Sequence, residues 1–194
     1  MRWFTADPHF GHARILELAH RPFRDVEEMD RAILERASSV VGPDDELWVL
    51  GDLALGRITD SLRVASHLPG RKVLILGNHD RPFLERTRER RARFRTAYED
   101  AGFRVLDDLV VPDRIGRRDV LLSHYPYEGD SIEGEERHKD LRAVDEGLPI
   151  VHGHVHERWR IHGRQINVGV DVNDFTPVSE ELLAEWLDEL DPTS

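Results

Sequence analysis

An α/β fold is predicted by three features of the sequence. Apolar runs of strand length alternate with helix-like stretches through the first half, Gly-Pro and Pro-Gly pairs stop the helices, and the second half is richer in strands. Strands are expected from Trp3 to Ala6, from Glu46 to Leu50 and from Arg71 to Leu76. Asp25 followed three residues later by Glu28 has the spacing of a capping box, opening a helix to about Val41 that Gly42-Pro43 stops. A shorter helix fits Asp60 to His67, ended by Pro69-Gly70. Pro82 suits a first helical turn, and Phe83, Thr87, Phe94 and Tyr98 then share one face of a helix ending near Gly102. Further strands are read from Val120 to Ser123 and from Ile150 to His152. A hairpin has arms Arg158 to Ile161 and Gln165 to Val170 around His162-Gly163-Arg164. Ser179 caps a last helix running to about Leu190, and the polar segment from Tyr127 to Gly147 reads as a long loop.

The 194 residues, 39% hydrophobic, suit one domain over 1-194. There is no cysteine, so disulfides, zinc-thiolate sites, iron-sulfur clusters and cysteine nucleophiles are excluded, and any metal must be held by nitrogen and oxygen. No apolar signal core precedes Asp7 and no apolar run approaches membrane-spanning length, so a cytoplasmic location with no membrane contact is expected. The net charge of −11 argues against sequence-blind binding of duplex nucleic acid through the whole surface. It leaves room for a local basic patch, and residues 81–95 carry seven arginines against two glutamates.

The chemistry is carried by a recurrence. Five times an apolar strand ends and a metal-ligand type follows within about two residues: Asp7 and His9, Asp52, Asn78, His124, then His154 and His156. In open α/β sheets ligands lie beyond the carboxyl ends of the strands, so such endings gather side chains distant in sequence. Asp7 with His9, and His154 with His156, are spaced by two, so an extended chain would point each pair the same way, roughly 7 Å apart. Seven candidate ligands exceed what one hydrolytic ion with an open position uses, and two ions sharing a bridging carboxylate fit better.

Each element taken alone also has an ordinary explanation. Gly51-Asp52 and Gly77-Asn78 are common turns, Asp7 suits a turn, and His9 or His124 would pass as surface or core histidines. What sets them apart is their order and their shared place after strands.

The blocks Asp7-Pro8-His9, Gly51-Asp52, Gly77-Asn78-His79-Asp80, Ser123-His124 and Gly153-His154-Val155-His156 resemble, in order, those of the calcineurin-like binuclear metallophosphoesterases. Phe10-Gly11-His12 and Asn167-Val168-Gly169-Val170 look like a small capless branch of bacterial and phage-type members. The resemblance implies a layered α/β/β/α sandwich with mixed sheets. It also implies that Asp7, His9 and His156 hold a first divalent ion, that Asn78, His124 and His154 hold a second, and that Asp52 bridges both. Pro8 departs from the family pattern and should only stiffen its loop.

A metallophosphoesterase with this site attacks phosphate esters in line, using a hydroxide that bridges the two cations. His79, beside Asn78 but not needed for coordination, would hydrogen-bond phosphate or protonate the leaving group. Asp80 would orient a histidine or start the next helix. His12 would face substrate or begin the first helix, and His152 would pack at a strand end. Manganese is the expected metal, with iron, cobalt, nickel or zinc fitting the same donors.

A cleft left open by a short chain favours a phosphodiesterase on nucleotides, cyclic nucleotides or single-stranded nucleic acid. The alternatives are a phosphomonoesterase of small molecules or phosphoproteins and a noncatalytic scaffold. No protein partner is expected. In the arginine-rich helix Arg81 with Glu85, and Glu89 with Arg93, are spaced as ordinary pairs. Five arginines remain without an acid in this reading, and Arg88, Arg90 and Arg91 are the candidate contacts to a nucleic-acid backbone.

Overall fold

The computed structural model describes residues 1–132, 134–135 and 137–190. In chain order the elements are β1 (Arg2–Thr5), α1 (Ile15–Leu18), α2 (Val26–Val40), β2 (Glu46–Leu50), α3 (Ile58–Ala65), β3 (Arg71–Ile75), α4 (Arg81–Leu84), α5 (Arg88–Asp100) and β4 (Phe103–Val105). There follow β5 (Val110–Ile115), β6 (Arg118–Ser123), β7 (Ile150–His152), β8 (Ile161–His162), β9 (Gln165–Asn167), β10 (Val178–Ser179) and α6 (Glu180–Glu189). They build an α/β fold on two five-stranded mixed sheets, ordered β10-β1-β2-β3-β4 and β5-β6-β7-β9-β8.

Strands β1 to β4 are parallel, as strands joined through helices must be, and β10 closes their sheet antiparallel to β1. In the second sheet β6, β7 and β9 are parallel, with β5 and β8 antiparallel at the edges. The β2 and β3 sequences Leu-Trp-Val-Leu and Val-Leu-Ile are buried on both faces, and their side chains divide accordingly. Leu47, Val49 and Leu74 pack with Met29, Ile33, Leu62 and Tyr98 of the helices. Trp48, Leu50, Val73 and Ile75 pack with Val120, Leu122, Val151 and Ile166 of the second sheet, joined by Leu183 and Leu187 of α6. No helix of the described residues is long and apolar enough to cross a membrane.

The expected capping box is present: Asp25 accepts from the Glu28 amide at 2.8 Å, and Glu28 reaches back to the amide of Arg24 at 2.8 Å. Ser179 caps α6 by accepting from Leu182 at 3.2 Å.

The single helix expected from Pro82 to Gly102 is two. Thr87 lies between them as the N-cap of α5, accepting from the Arg90 amide at 3.3 Å, and does not pack on an apolar face. The break is held by the buried Glu85, whose carboxylate takes Arg90 at 2.8 Å and Arg81 at 3.4 Å, while its carbonyl accepts from Arg91 Nε at 2.5 Å. The expected hairpin is also shorter, because His162 pairs with Gln165 and the turn is Gly163-Arg164 alone. Strands β4, β5 and β10 were not anticipated; β5 alternates polar with apolar at a sheet edge and contains Pro112, which masks its pattern.

Candidate metal centre

The five strand endings named from the sequence do converge. β1, β2 and β3 deliver Asp7 with His9, Asp52 and Asn78, and β6 and β7 deliver His124 and His154 with His156. The two sheets are stitched at this end by the segment after β9. The Ala6 amide donates to Val168 O at 3.1 Å, Val170 N to Ala6 O at 3.0 Å, and Val168 N to His152 O at 2.8 Å. Asn167-Val168-Gly169-Val170 is thus the strap that brings the two ligand sets together.

The expectation that each spaced pair stays extended is overturned. Asp7, His9, Asp52, His154 and His156 all have positive φ, between 50° and 71°. The chain turns left-handed at each of them, a conformation that costs side-chain-bearing residues energy and persists where surroundings enforce it. Part of that enforcement is main-chain pairing past the strand ends, with Asp7 N donating to Gly51 O at 3.1 Å and His9 N to Asp52 O at 3.1 Å. The neighbouring glycines are required for close approach: a Cβ on Gly77 would lie 2.2 Å from Asp52 Oδ1, and one on Gly153 would lie 2.4 Å from Asp7 Oδ2.

Two groups of donor atoms lie within 4.8 Å of one another: Asp7, His9 and His156, and Asp7, Asp52 and His124. These Asp and His groups can hold a metal ion, and Asp7 belongs to both. Asp52 Oδ2 sits 3.7 Å from His9 Nε2 and 3.6 Å from His124 Nε2, between the two halves of the centre.

The donor chemistry fits a cation. His124 Nδ1 lies 2.9 Å from the Leu50 carbonyl, which only accepts, so Nδ1 carries the proton and Nε2 is a lone pair. That lone pair faces Asn78 Oδ1 at 3.1 Å and Asp52 Oδ2 at 3.6 Å, an arrangement of acceptors that a positive ion would satisfy. Asp7 Oδ1 and both ring nitrogens of His9 are buried with no hydrogen-bond partner. Burial pushes the Asp7 carboxyl up to about 6, raises Asp52 and lowers His9, His124 and His154, so the imidazoles present uncharged lone pairs.

His154 is placed differently from His124. Its main-chain amide donates to Asp7 Oδ2 at 2.8 Å, its ring is 5.2 Å from that of His124, and its Nε2 lies 3.4 Å from Asp130 Oδ2. His79 is exposed, with its amide on Asp52 Oδ1 at 2.8 Å and its ring 5.6 Å from that of His9. His12 is half-buried with its ring 5.4 Å from that of His9, and both face a cavity of about 380 Å³. His152 is buried at the end of β7 against Trp159, as expected.

Asp80 orients no histidine. Its carboxylate accepts from the amides of Asp52 at 2.9 Å, Leu53 at 3.0 Å and Gly77 at 2.8 Å, and from Tyr98 Oη at 3.2 Å. It clamps the turns that carry Asp52 and Asn78. Arg88, Arg90 and Arg91 do not reach the centre. Arg88 and Arg91 line a separate hollow with Leu76, Phe83 and Leu106, and Arg90 is held by Glu85. Arg95, counted among the arginines without an acid, pairs with Glu99 at 3.0 Å and Asp107 at 2.7 Å.

Several site residues escaped sequence reasoning. Arg21, fully within the protein, donates to both oxygens of Asp171 at 2.7 and 2.9 Å, and to the carbonyls of Asp7 at 2.7 Å and Pro8 at 3.0 Å. Asp171 in turn lies 3.1 Å from His156 Nδ1. Against burial, Arg137 holds the Asp130 carboxyl well below its usual range, with an Nη2 bond of 2.5 Å. Tyr125 and His138 place their rings 5.3 and 5.8 Å from that of His154. Only Asp171 had a usable signal, as the acid directly after the strap.

No family model matches the chain. The Gene 66 protein of Mycobacterium phage L5 is 39% identical over 187 residues, covering 87% of this chain and 86% of the relative. The Gene 66 protein of Mycobacterium phage D29 is 38% identical, covering 92% of each. This chain belongs to the Gene 66 protein family. Beyond the phages, an uncharacterized protein of Methanocaldococcus jannaschii is 27% identical, covering 96% of this chain and 90% of the relative. The crystal structure of AQ665 from Aquifex aeolicus, a protein of unknown function, superimposes with a TM-score of 0.71 at 29% identity, covering 96% of this chain and 98% of that one. The fold of this chain thus recurs in a solved bacterial structure.

Proposed function

We propose that this protein is a metal-dependent phosphoesterase of the calcineurin-like binuclear type, acting as a phosphodiesterase on nucleotides, cyclic nucleotides or single-stranded nucleic acid. The observation that carries the reading is the meeting of His124 Nε2, Asn78 Oδ1 and Asp52 Oδ2, next to the unpartnered Asp7 Oδ1 and His9. Buried acceptors turned toward one another are costly unless a cation joins them. Asp7, His9 and His156 would hold one ion and Asn78, His124 and His154 another, with Asp52 between them. Manganese is the favoured metal, and the finer four-layer sandwich belongs to the same reading. Divalent ions at these donors supply a water of lowered pKa and offset charge on phosphate oxygens.

The rest falls to the chain. Asp80 and the glycines fix the turns that carry the donors. Asp171 fixes the tautomer of His156. His79, exposed on the cavity and tied to Asp52 through its amide, would give a proton to the ester oxygen as its bond to phosphorus breaks. The reading is tested by stripping the purified protein with chelator, refilling it with manganese, and assaying a generic phosphodiester, its matching monoester and single-stranded oligonucleotides. Metal-dependent hydrolysis with diester favoured over monoester is expected. Monoester preference would reassign the substrate class, and no hydrolysis of any ester would leave a scaffold.

A further inference from the structure

The cavity that opens beside His9, His79 and His156 is not a polar phosphate cup. Beyond the histidines its lining includes Ile15, Leu18, Ala19, Leu55 and Ile132. Leu18 is 60% exposed and Ile132 48%, two of the eight large hydrophobic residues left in solvent among the described residues. Exposed apolar side chains are costly in water, so two of them lining one cavity mark a surface kept open for an apolar occupant. The lining also carries the exposed Arg14, with no acidic partner among the described residues, the exposed Glu157, and Arg137, which is neutralised by Asp130 and Glu135. The volume of about 380 Å³ falls in the range of small-molecule sites, about 300–1,000 Å³.

We propose that this cavity seats an aromatic or heteroaromatic ring on one ester arm of the substrate, so that the preferred substrate is a ring-bearing phosphodiester. The inference rests on the phosphodiesterase reading and deepens it. Ions held by His9 and His156 would keep the phosphate at the histidine end. An ester arm leaving the phosphate into this cavity meets Ile15, Leu18, Leu55 and Ile132, where a flat ring excludes water from more apolar surface than a small alkyl group does.

Two measurements test it separately from the reaction. In saturation-transfer NMR on the chelator-treated protein, the ring protons of 1-naphthyl phosphate should receive saturation and the methyl group of methyl phosphate should not. The Leu18→Ser and Ile132→Ser double variant should cut the ring signal at least threefold, and both positions are exposed enough for the fold to survive, as a melting curve will show. On the manganese-loaded protein, 1-naphthyl phosphate should inhibit hydrolysis of bis(p-nitrophenyl) phosphate with a Ki at least tenfold below that of methyl phosphate, and the double variant should reduce that ratio at least threefold. If no diester is hydrolysed while ring saturation persists and responds to the substitutions, the reaction falls and the ring site stands. Absent ring saturation, or saturation indifferent to both substitutions, overturns the ring site whatever the enzyme hydrolyses.

Discussion

Asp171 Oδ2 accepts the Nδ1 proton of His156 at 3.1 Å, which leaves Nε2 of that imidazole as the lone pair for the metal centre. Asp171 is itself held by two bonds from the buried Arg21, which also donates to the carbonyls of Asp7 and Pro8. One arginine thus ties the loop after β1 to the ligand after β7. Against burial, which lowers it, the Asp171 bond and the Asp7 charge keep the affinity of His156 for protons raised.

Asp171→Asn should therefore weaken manganese binding about 10–100-fold, the usual effect of losing the partner behind a ligating histidine. Competition with a metal-sensitive dye measures this directly. Unchanged affinity with an unchanged melting temperature would show that the bond to Asp171 does not set up His156.

The glycines before two ligands predict a steric failure. Gly77→Ala would place a methyl group 2.2 Å from Asp52 Oδ1, and Gly153→Ala one 2.4 Å from Asp7 Oδ2. Overpacking of this kind costs about 1–3 kcal/mol, and here it pushes a donor atom out of place. Both variants should fold with lowered melting temperature and bind fewer ions per chain.

Much of the centre was legible in the sequence because its donors follow strand ends, and strand ends are where parallel sheets open. The left-handed turns were not legible. Nothing in Asp7-Pro8-His9 requires positive φ at both ends, and the enforcing bonds come from Gly51 and Asp52 just past β2, more than forty residues away. Arg21 and Asp130 were hidden for the same reason, since each gains its role only when distant segments meet. The break before α5 was missed because the apolar spacing of Phe83, Thr87 and Phe94 continues across it, while the cause is the ion pairing of Glu85.

A buried acid away from the ligands gives a pH-dependent prediction. Asp30, on α2, accepts only from the amide of Gly11, at 3.2 and 3.3 Å, and burial pushes its carboxyl up to about 6 against an ordinary 3.8, with Glu27 adding to the rise and Arg21 opposing it. The folded state holds the proton more tightly than the unfolded chain. The contribution is therefore fully present below about pH 4 and is lost as pH rises through 6. Asp30→Asn should raise stability at pH 7.5 by about 1–3 kcal/mol, with the gain vanishing toward pH 4. Denaturant unfolding at both pH values checks it, and a gain independent of pH would refute the assignment.

Asp80→Ala removes the acceptor of three buried amides and of Tyr98 Oη. Each donor left unsatisfied costs about 1–3 kcal/mol, so this variant should be among the least stable single substitutions in the protein. Asp80→Asn, which keeps an acceptor oxygen but adds an amine that the amides cannot accept, should fall between it and the parent in thermal unfolding.

The central claim is that ions held between the two strand sets hydrolyse phosphate esters, and a stoichiometric titration tests it most directly. Chelator-stripped protein is refilled stepwise with manganese while bound metal and hydrolysis of bis(p-nitrophenyl) phosphate are followed together. The account predicts activity that rises to a plateau at close to two ions per chain, and an Asp52→Asn variant that loses both metal and turnover. Hydrolysis by the stripped protein or full activity in the Asp52→Asn variant would contradict it, as would two tightly bound ions with no turnover of any phosphate ester.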